Sequence, residues 1–442
     1  MRVLINNHIL SIRGGKDMKK TKIIFLILIA TVVTSFFILK TVKKNVETII
    51  NLTTEEKIAD YEYLCDILNK SYPFWMEVEA DGIDIEEVFD YYRETIHKSN
   101  TDIEFMKEIK SFLKEFQGYG HLSVLDGYQY QYYVNTINSS RGTLTESSRR
   151  WIDTSFAALF NPTSIKTYSM LDQSRLGFRS KKGLKDKYNK EITNEDVGEQ
   201  LPSKDDNNLS FEIIEDGKIA YIKINTFEWS NIEKDRQMLI DFYKEVANYQ
   251  HLIIDIQGNT GGSDSYWEDL IVAPNIEKPL YFDRYYLINN NNFISPYLEA
   301  RFDKSQIHSI ETLPKFENLS NEVLDYFDHY IVQESRVKPM GEILFNGDIW
   351  VLIDESNYSS AENFLIFTKN TEFATLVGKP TGGDGGVDPI LFSLPNSGLI
   401  IRFSMLYGLN NDGTGNEARG TLPDIEVSEN NDALTESLLH IK

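Results

Sequence analysis

Val351-Leu352-Ile353-Asp354-Glu355-Ser356-Asn357-Tyr358-Ser359-Ser360-Ala361-Glu362-Asn363-Phe364 carries the turn on which the fold and its chemistry depend. An apolar, strand-like run ends in a short polar turn. Two serines and an acidic residue follow, and Phe364, Leu365 and Phe367 then line one side of a helix-like pattern. A serine at such a strand-to-helix turn can present its hydroxyl at the end of the strand. The first N–H groups of the helix have no partner inside it and can bind an oxyanion. The same residues also read as a helix cap. Serine is a favoured N-cap, and Ser359 with Glu362 fits the Ser-x-x-Glu capping box. Taken alone, the turn favours the cap.

Around this turn the chain alternates strands with helices from Leu209 onward. Phe211–Ile214 and Ile219–Ile224 flank Glu215-Asp216-Gly217, a hairpin turn. Ile232–Tyr249 has the spacing of an amphipathic helix and Leu252–Ile256 that of a buried strand. Ile349–Ile353, Ala361–Lys369, Ala374–Val377 and Leu399–Ser404 continue the alternation. This order predicts an α/β core over residues 209–442.

Three further segments bear on what that core is. They are His251-Leu252-Ile253-Ile254-Asp255-Ile256-Gln257-Gly258-Asn259-Thr260-Gly261-Gly262, Ala374-Thr375-Leu376-Val377-Gly378-Lys379-Pro380-Thr381-Gly382-Gly383, and Gly420-Thr421-Leu422-Pro423-Asp424-Ile425-Glu426-Val427. With the Ser-x-x-Glu turn, and in the same order, they resemble the S41 serine peptidases. The resemblance implies a ClpP/crotonase-like ββα spiral for the core. It also implies that the nucleophile is Ser359, three residues before Glu362, with Ser360 as the alternative.

The family has two catalytic designs. Its tail-specific branch pairs the serine with a lysine twenty-five residues on; here that position is Asp384, within Gly382-Gly383-Asp384-Gly385-Gly386. The tricorn-like branch instead uses an upstream histidine and a late glutamate. Gly118-Tyr119-Gly120-His121-Leu122 resembles the histidine turn, and Glu417 precedes the terminal Pro-Asp strand where the glutamate belongs. The resemblance therefore implies Ser359 as nucleophile, His121 as base and Glu417 as the acid that orients the imidazole. Ser360 N–H and the N–H of Gly261 or Gly262 are the implied oxyanion donors, while Asn259 and Asp255 fix the glycine turn. Tricorn has a serine before its histidine that bridges to the glutamate. This chain has Gly120 there, so direct contact or a water must make the link. Without the resemblance, His121 reads as a surface histidine and Glu417 as a solvated loop carboxylate.

Composition narrows the partners. The chain has 442 residues and a net charge of −22. Residues 1–45 carry nine Lys/Arg and one Asp, a net of +8, leaving about −30 on the rest. An acidic body argues against nucleic acid, whose phosphates require a basic surface. The single cysteine, Cys65, excludes a disulfide framework and reads as a small buried apolar residue among Ile58, Tyr61, Leu64 and Leu68. No histidines have metal-ligand spacing, so neither metal nor cofactor is expected.

Ile23–Leu39 is an uncharged apolar run of 17 residues between Lys19, Lys20, Lys22 and Lys40, Lys43, Lys44. This is the short end of a membrane-spanning helix. No small-x-small cleavage site follows it, which favours an uncleaved single-pass anchor over a signal peptide and places the body outside the cytoplasm.

Four regions result: a tail and anchor (1–45), a helical domain carrying His121 (46–125), a less defined insert (126–208), and the peptidase-like core (209–442). In the second region Thr53 is an expected N-cap, and helices are expected over Ile85–Ile96 and Asp102–Phe116. Tyr128-Gln129-Tyr130-Gln131-Tyr132 alternates like a strand. Leu176-Gly177-Phe178 is a fragment of the PDZ loop found in many S41 members, with no intact PDZ domain around it. The expected function is serine endopeptidase activity on extracytoplasmic proteins or peptides. The alternatives are an inactive binding protein on the same fold, for peptide or lipophilic ligands, and a crotonase-type acyl-CoA enzyme. The last leaves the Ser-x-x-Glu turn without a role.

Overall fold

The computed structural model describes residues 50–140, 145–174, 207–384, 389–428 and 431–441. The apolar run 23–39, the fragment 176–178 and Gly385-Gly386 lie outside the described residues. Among those described, no helix is long and apolar enough to cross a membrane.

A six-stranded sheet anchors the C-terminal half. Its order is Ile425–Glu426, Thr375–Gly378, Asp348–Ile353, His251–Asp255, Ile219–Ile224, Leu209–Glu215. Every pairing is parallel except the last, the hairpin read from sequence. All five residues of His251–Asp255 are buried, because helices cover both faces of a parallel sheet. Ala220, Ile222, Leu252, Ile254, Val351, Ile353 and Leu376 pack with helices Ile232–Glu245 and Ser360–Thr371. Ile219, Ile253, Leu352 and Val377 pack on the other side with Ala433 and Ile441, at the ends of the terminal helical segment. Alternate residues of each strand thus serve two apolar layers.

The N-terminal helices are Thr54–Ser71, Trp75–Ala80, Ile85–His97 and Asp102–Lys114. Thr53 and Glu56 form a reciprocal capping box, and Asp84 and Thr101 cap the third and fourth helices. Edge-to-face rings fill the space between them: Trp75 on Phe116 at 5.0 Å and Phe112 on Phe116 at 5.1 Å. Cys65 lies in this layer, 4% exposed.

The same core takes in two antiparallel sheets. One pairs Ser123–Val124, Ile400–Phe403 and Ile390–Ser393; the other pairs Tyr407–Gly408, Leu280–Ile288, His329–Val337 and Ile307–Ser309. The Asp60 carboxylate ties helix Thr54–Ser71 to the turn before Ile400, accepting from Asn396 N–H at 2.8 Å and Ser397 N–H at 2.7 Å. The helical layer is thereby fixed to strands that lie next to the site.

The tyrosine alternation at 128–132 is a correction. Gly127–Ser140 is a helix, not a strand. Asp126 and Gln129 cap it reciprocally, and Tyr130, Tyr133, Val134 and Ile137 recur at helical spacing toward the core. Tyr130 stacks on Tyr168 at 4.3 Å. Two further helices, Glu146–Ser155 and Pro162–Ser174, pack beside it.

Candidate active site

The Ser359 turn is clamped from below. Asn357 is fully buried. Its side chain accepts from Asp354 N–H at 2.9 Å and donates to the carbonyls of Ile256 (2.6 Å) and Asn259 (3.1 Å). Asp354 Oδ1 in turn accepts from Ser356 N–H and Gly258 N–H, each at 3.0 Å. These bonds lock the end of strand Asp348–Ile353 onto the Asn259-Thr260-Gly261-Gly262 turn.

Ser359 then adopts φ 56° and ψ −125°, a conformation that L-residues seldom hold. It makes no side-chain capping bond to helix Ser360–Thr371. Glu362 does not reach back to close a box either; it accepts from Asn416 Nδ2 at 2.7 Å and Thr421 Oγ1 at 2.6 Å. Full burial pushes its carboxyl up to about 7. The cap reading fails because both of its side chains are engaged or aimed elsewhere.

The glycine turn closes on this serine. A methyl on Gly261 would lie 2.7 Å from Tyr358 O, 2.8 Å from Ser360 N and 3.0 Å from Ser359 Cβ, so only glycine allows the approach. Gly261 N–H is spent on Asn259 Oδ1 at 2.9 Å. That leaves Gly262 N–H and Ser360 N–H as the donors without an acceptor among the described residues. The Ser360 hydroxyl is buried and unpartnered behind the turn.

His121 stands on a turn of another construction. Gly120 (φ 57°) and His121 (φ 62°) are both left-handed. The Gly120 peptide is held at both ends: its carbonyl accepts from Ser404 N–H at 2.6 Å and its N–H donates to Glu417 Oε1 at 2.6 Å. A methyl at 120 would lie 2.1 Å from the Phe74 ring, which leaves no room for a side chain there. The backbone N–H makes the bond to Glu417 instead. Just after His121, strand Ser123–Val124 pairs with Ile400–Phe403.

Two groups meet the imidazole, and a third stands behind them. Its Nε2 lies 2.8 Å from Asp384 Oδ2, with the two side chains 15% and 5% exposed. Its ring packs edge-on against Tyr358 at 5.0 Å, one residue before Ser359. The Tyr358 hydroxyl receives the His121 backbone N–H and donates to Glu417 Oε1 at 3.5 Å. Glu417 makes no bond to the imidazole, so the link that the sequence resemblance implied runs through Gly120 and Tyr358. The described carboxylate bonded to the ring is Asp384, noted in the sequence only as the residue replacing a lysine. Burial first, and then the neighbouring Asp384 charge, push Glu417 well above the usual carboxylate range. Ser359, Ser360, Gly261, Gly262, His121 and Glu417 all fall within this one cluster. Sequence reasoning did not assign Asp384 and Tyr358 to it. The positive φ of Asp384 (85°), which turns it toward the site, has no single-sequence signature beyond the flanking glycines.

A serine in a strained turn at the end of a parallel strand thus lies beside a histidine that is bonded to a buried carboxylate. Comparison with known proteins makes this specific. Residues 218–427 match the family model of peptidase family S41. These 210 of the 442 residues, which include the Ser359 turn, are similar to that peptidase family.

A curated Chlamydia pneumoniae protein is 25% identical over 251 residues, 48% of this chain and 40% of that protein; the chain therefore spans well under half of the relative's length. Among solved structures, a Parabacteroides merdae protein described as a peptidase superposes with a TM-score of 0.51 at 17% identity, covering 88% of this chain and 96% of that one. Mature CPAF complexed with lactacystin gives 0.50 at 13% identity, covering 88% and 97%. These likenesses show a shared fold.

Proposed function

We propose that this chain is an active serine endopeptidase. Ser359 is the nucleophile, His121 the base, and the Ser360 and Gly262 N–H groups the oxyanion donors. The observation that carries this is the clustering of backbone strain. Among the described residues six non-glycine residues have positive φ, and three of them, His121, Ser359 and Asp384, meet here. Strain of this kind, on the order of 1–3 kcal/mol per residue, persists where the surrounding structure over-determines it, as at active sites.

In the reaction, Ser359 Oγ bonds to the scissile carbonyl carbon while its proton passes to His121. The oxyanion is held by the two N–H groups. The C–N bond then breaks, and the imidazolium returns the proton to the leaving amine. A water, deprotonated by the same imidazole, releases the acyl group and restores Ser359. The substrate class is protein or peptide outside the cytoplasm, with the apolar run 23–39 as a membrane anchor.

A serine-directed fluorophosphonate tests the chemistry before any substrate is known. Stoichiometric labelling that disappears in Ser359→Ala is expected. Failure to label the folded protein would move it to the ligand-binding reading. Retention in the membrane fraction after carbonate washing tests the anchor, and recovery of a soluble form starting near residue 40 would indicate cleavage instead.

A further inference from the structure

The loop Thr381–Asp384 threads between the nucleophile turn and the Glu417 segment, and it is built to do so. Gly382 N–H donates to Asn357 O at 2.9 Å, fixing one end to the Ser359 turn. Thr381 and Thr421 bond reciprocally, Thr421 N–H to Thr381 Oγ1 at 2.7 Å and Thr381 N–H to Thr421 O at 3.2 Å. A methyl on Gly383 would lie 2.4 Å from Glu417 O and 2.7 Å from Asn416 O, so the loop lies directly on that segment. Gly383 (φ 90°) and Asp384 (φ 85°) then turn the Asp384 carboxylate onto the imidazole.

We infer that Asp384 is the residue that positions His121 and balances its charge during turnover, and that Glu417 serves as a buttress for the Gly120 peptide. The inference rests on Ser359 and His121 being the nucleophile and base. The contacts divide the two roles. Asp384 Oδ2 is at hydrogen-bond distance from the ring, whereas Glu417 Oε1 is occupied by Gly120 N–H and the Tyr358 hydroxyl. Electrostatics agree. Two carboxylates this close cannot both ionise cheaply in a buried site. The acid pushed well above its usual range, by burial first and then by the Asp384 charge, is Glu417. The position that supplies a lysine in the tail-specific branch would then supply the third member of a triad in this chain.

The test compares Asp384→Asn with Glu417→Gln in the full chain. Both variants are near-isosteric, and the amide oxygen introduced by Glu417→Gln can still accept from Gly120 N–H. The first readout is the imidazole N–H proton of His121, observed by NMR in protein labelled with 15N-histidine and assigned by its loss in His121→Gln. Its strongly downfield resonance should persist in Glu417→Gln and vanish in Asp384→Asn. The second is steady-state kinetics: Asp384→Asn should lower kcat by about 10³–10⁴-fold with KM nearly unchanged, and Glu417→Gln by about tenfold or less.

The reverse pattern in either readout, with loss confined to Glu417→Gln, overturns the inference and restores Glu417 as the orienting acid. The NMR readout needs no turnover. If fluorophosphonate labelling fails while the resonance still depends on Asp384, the peptidase reading falls and the assigned contact stands.

Discussion

The Ser359 turn is assembled within one parallel sheet, from strand ends about 100 positions apart, whereas the His121 turn is assembled across the molecule, from residues as remote as Glu417. Strand, turn and helix over 348–371 are contiguous, and the clamp beneath them is the adjacent strand end at Ile256–Asn259. His121 stands on a peptide gripped by Phe74, Ser404 and Glu417, the last 297 positions away from Gly120. Construction within one sheet ties the Ser359 geometry to the parallel core. Distributed construction ties the His121 geometry to elements from both ends of the described chain. Substitutions in the first turn should therefore act through the parallel sheet, and those in the second through the packing between the two halves of the chain.

The largest effects separate the roles without testing the construction. Ser359→Ala should abolish fluorophosphonate labelling, and Ser360→Ala should only weaken it; the opposite outcome would shift the nucleophile by one residue. His121→Ala should lower turnover by about 10⁴–10⁶-fold, as loss of a triad base does.

Gly261→Ala goes to the contrast itself. The added methyl meets Tyr358 O and Ser360 N inside 3 Å, which displaces an oxyanion donor. Labelling should slow by about 10²–10³-fold, and the backbone clash at φ 105° should lower the thermal midpoint as well.

Gly120→Ala acts on the other turn. Its methyl drives into a fully buried Phe74 ring, at a left-handed φ. A destabilisation of about 2–4 kcal/mol is expected alongside the loss of activity, measurable by denaturant unfolding. If Gly120→Ala left stability untouched, the distinction between the two turns would be lost.

The smallest effect concerns Glu362, the polar residue that joins the nucleophile helix to the 416–421 segment. Its folded pKa of about 7 lies above the ordinary carboxyl value of 4.5. Between these values the native state keeps a proton that the unfolded chain has released. Its contribution to stability is thus full below pH 4.5 and declines as pH rises to about 7, by at most about 3 kcal/mol. Glu362→Gln should flatten stability against pH across that window. An unchanged slope would show that another carboxyl dominates it.

The same contrast explains what could be read from the sequence. The parallel strands, their helices and the serine turn are written in contiguous runs, so periodicity and turn chemistry expose them. The four-stranded antiparallel sheet carries no comparable signal. Its strands Leu280–Ile288 and His329–Val337 are separated by about forty residues of short, irregular pieces, and polar residues interrupt the run Asp283 to Tyr286. At 128–132 the alternating tyrosines obey a two-residue period, but the Asp126–Gln129 cap and the Tyr168 contact, one local and one remote, select a helix. His121 was legible only through family resemblance, and its bonded carboxylate was not. A histidine after a glycine turn carries no trace of Phe74, Ser404 or Asp384, which converge on it only in three dimensions.

Cys65 has one further use. It is the chain's single cysteine, and burial pushes its thiol up to about 12. At neutral pH a fraction on the order of 10⁻⁵ is ionised, and the protein should be inert to maleimides while folded. A cysteine introduced at Ser230, beside the exposed Trp229, would then be the one thiol that such a reagent meets. Close in sequence to the Phe227–Gly262 bridge, it would report on the oxyanion turn from a single dye, with no native thiol to remove first.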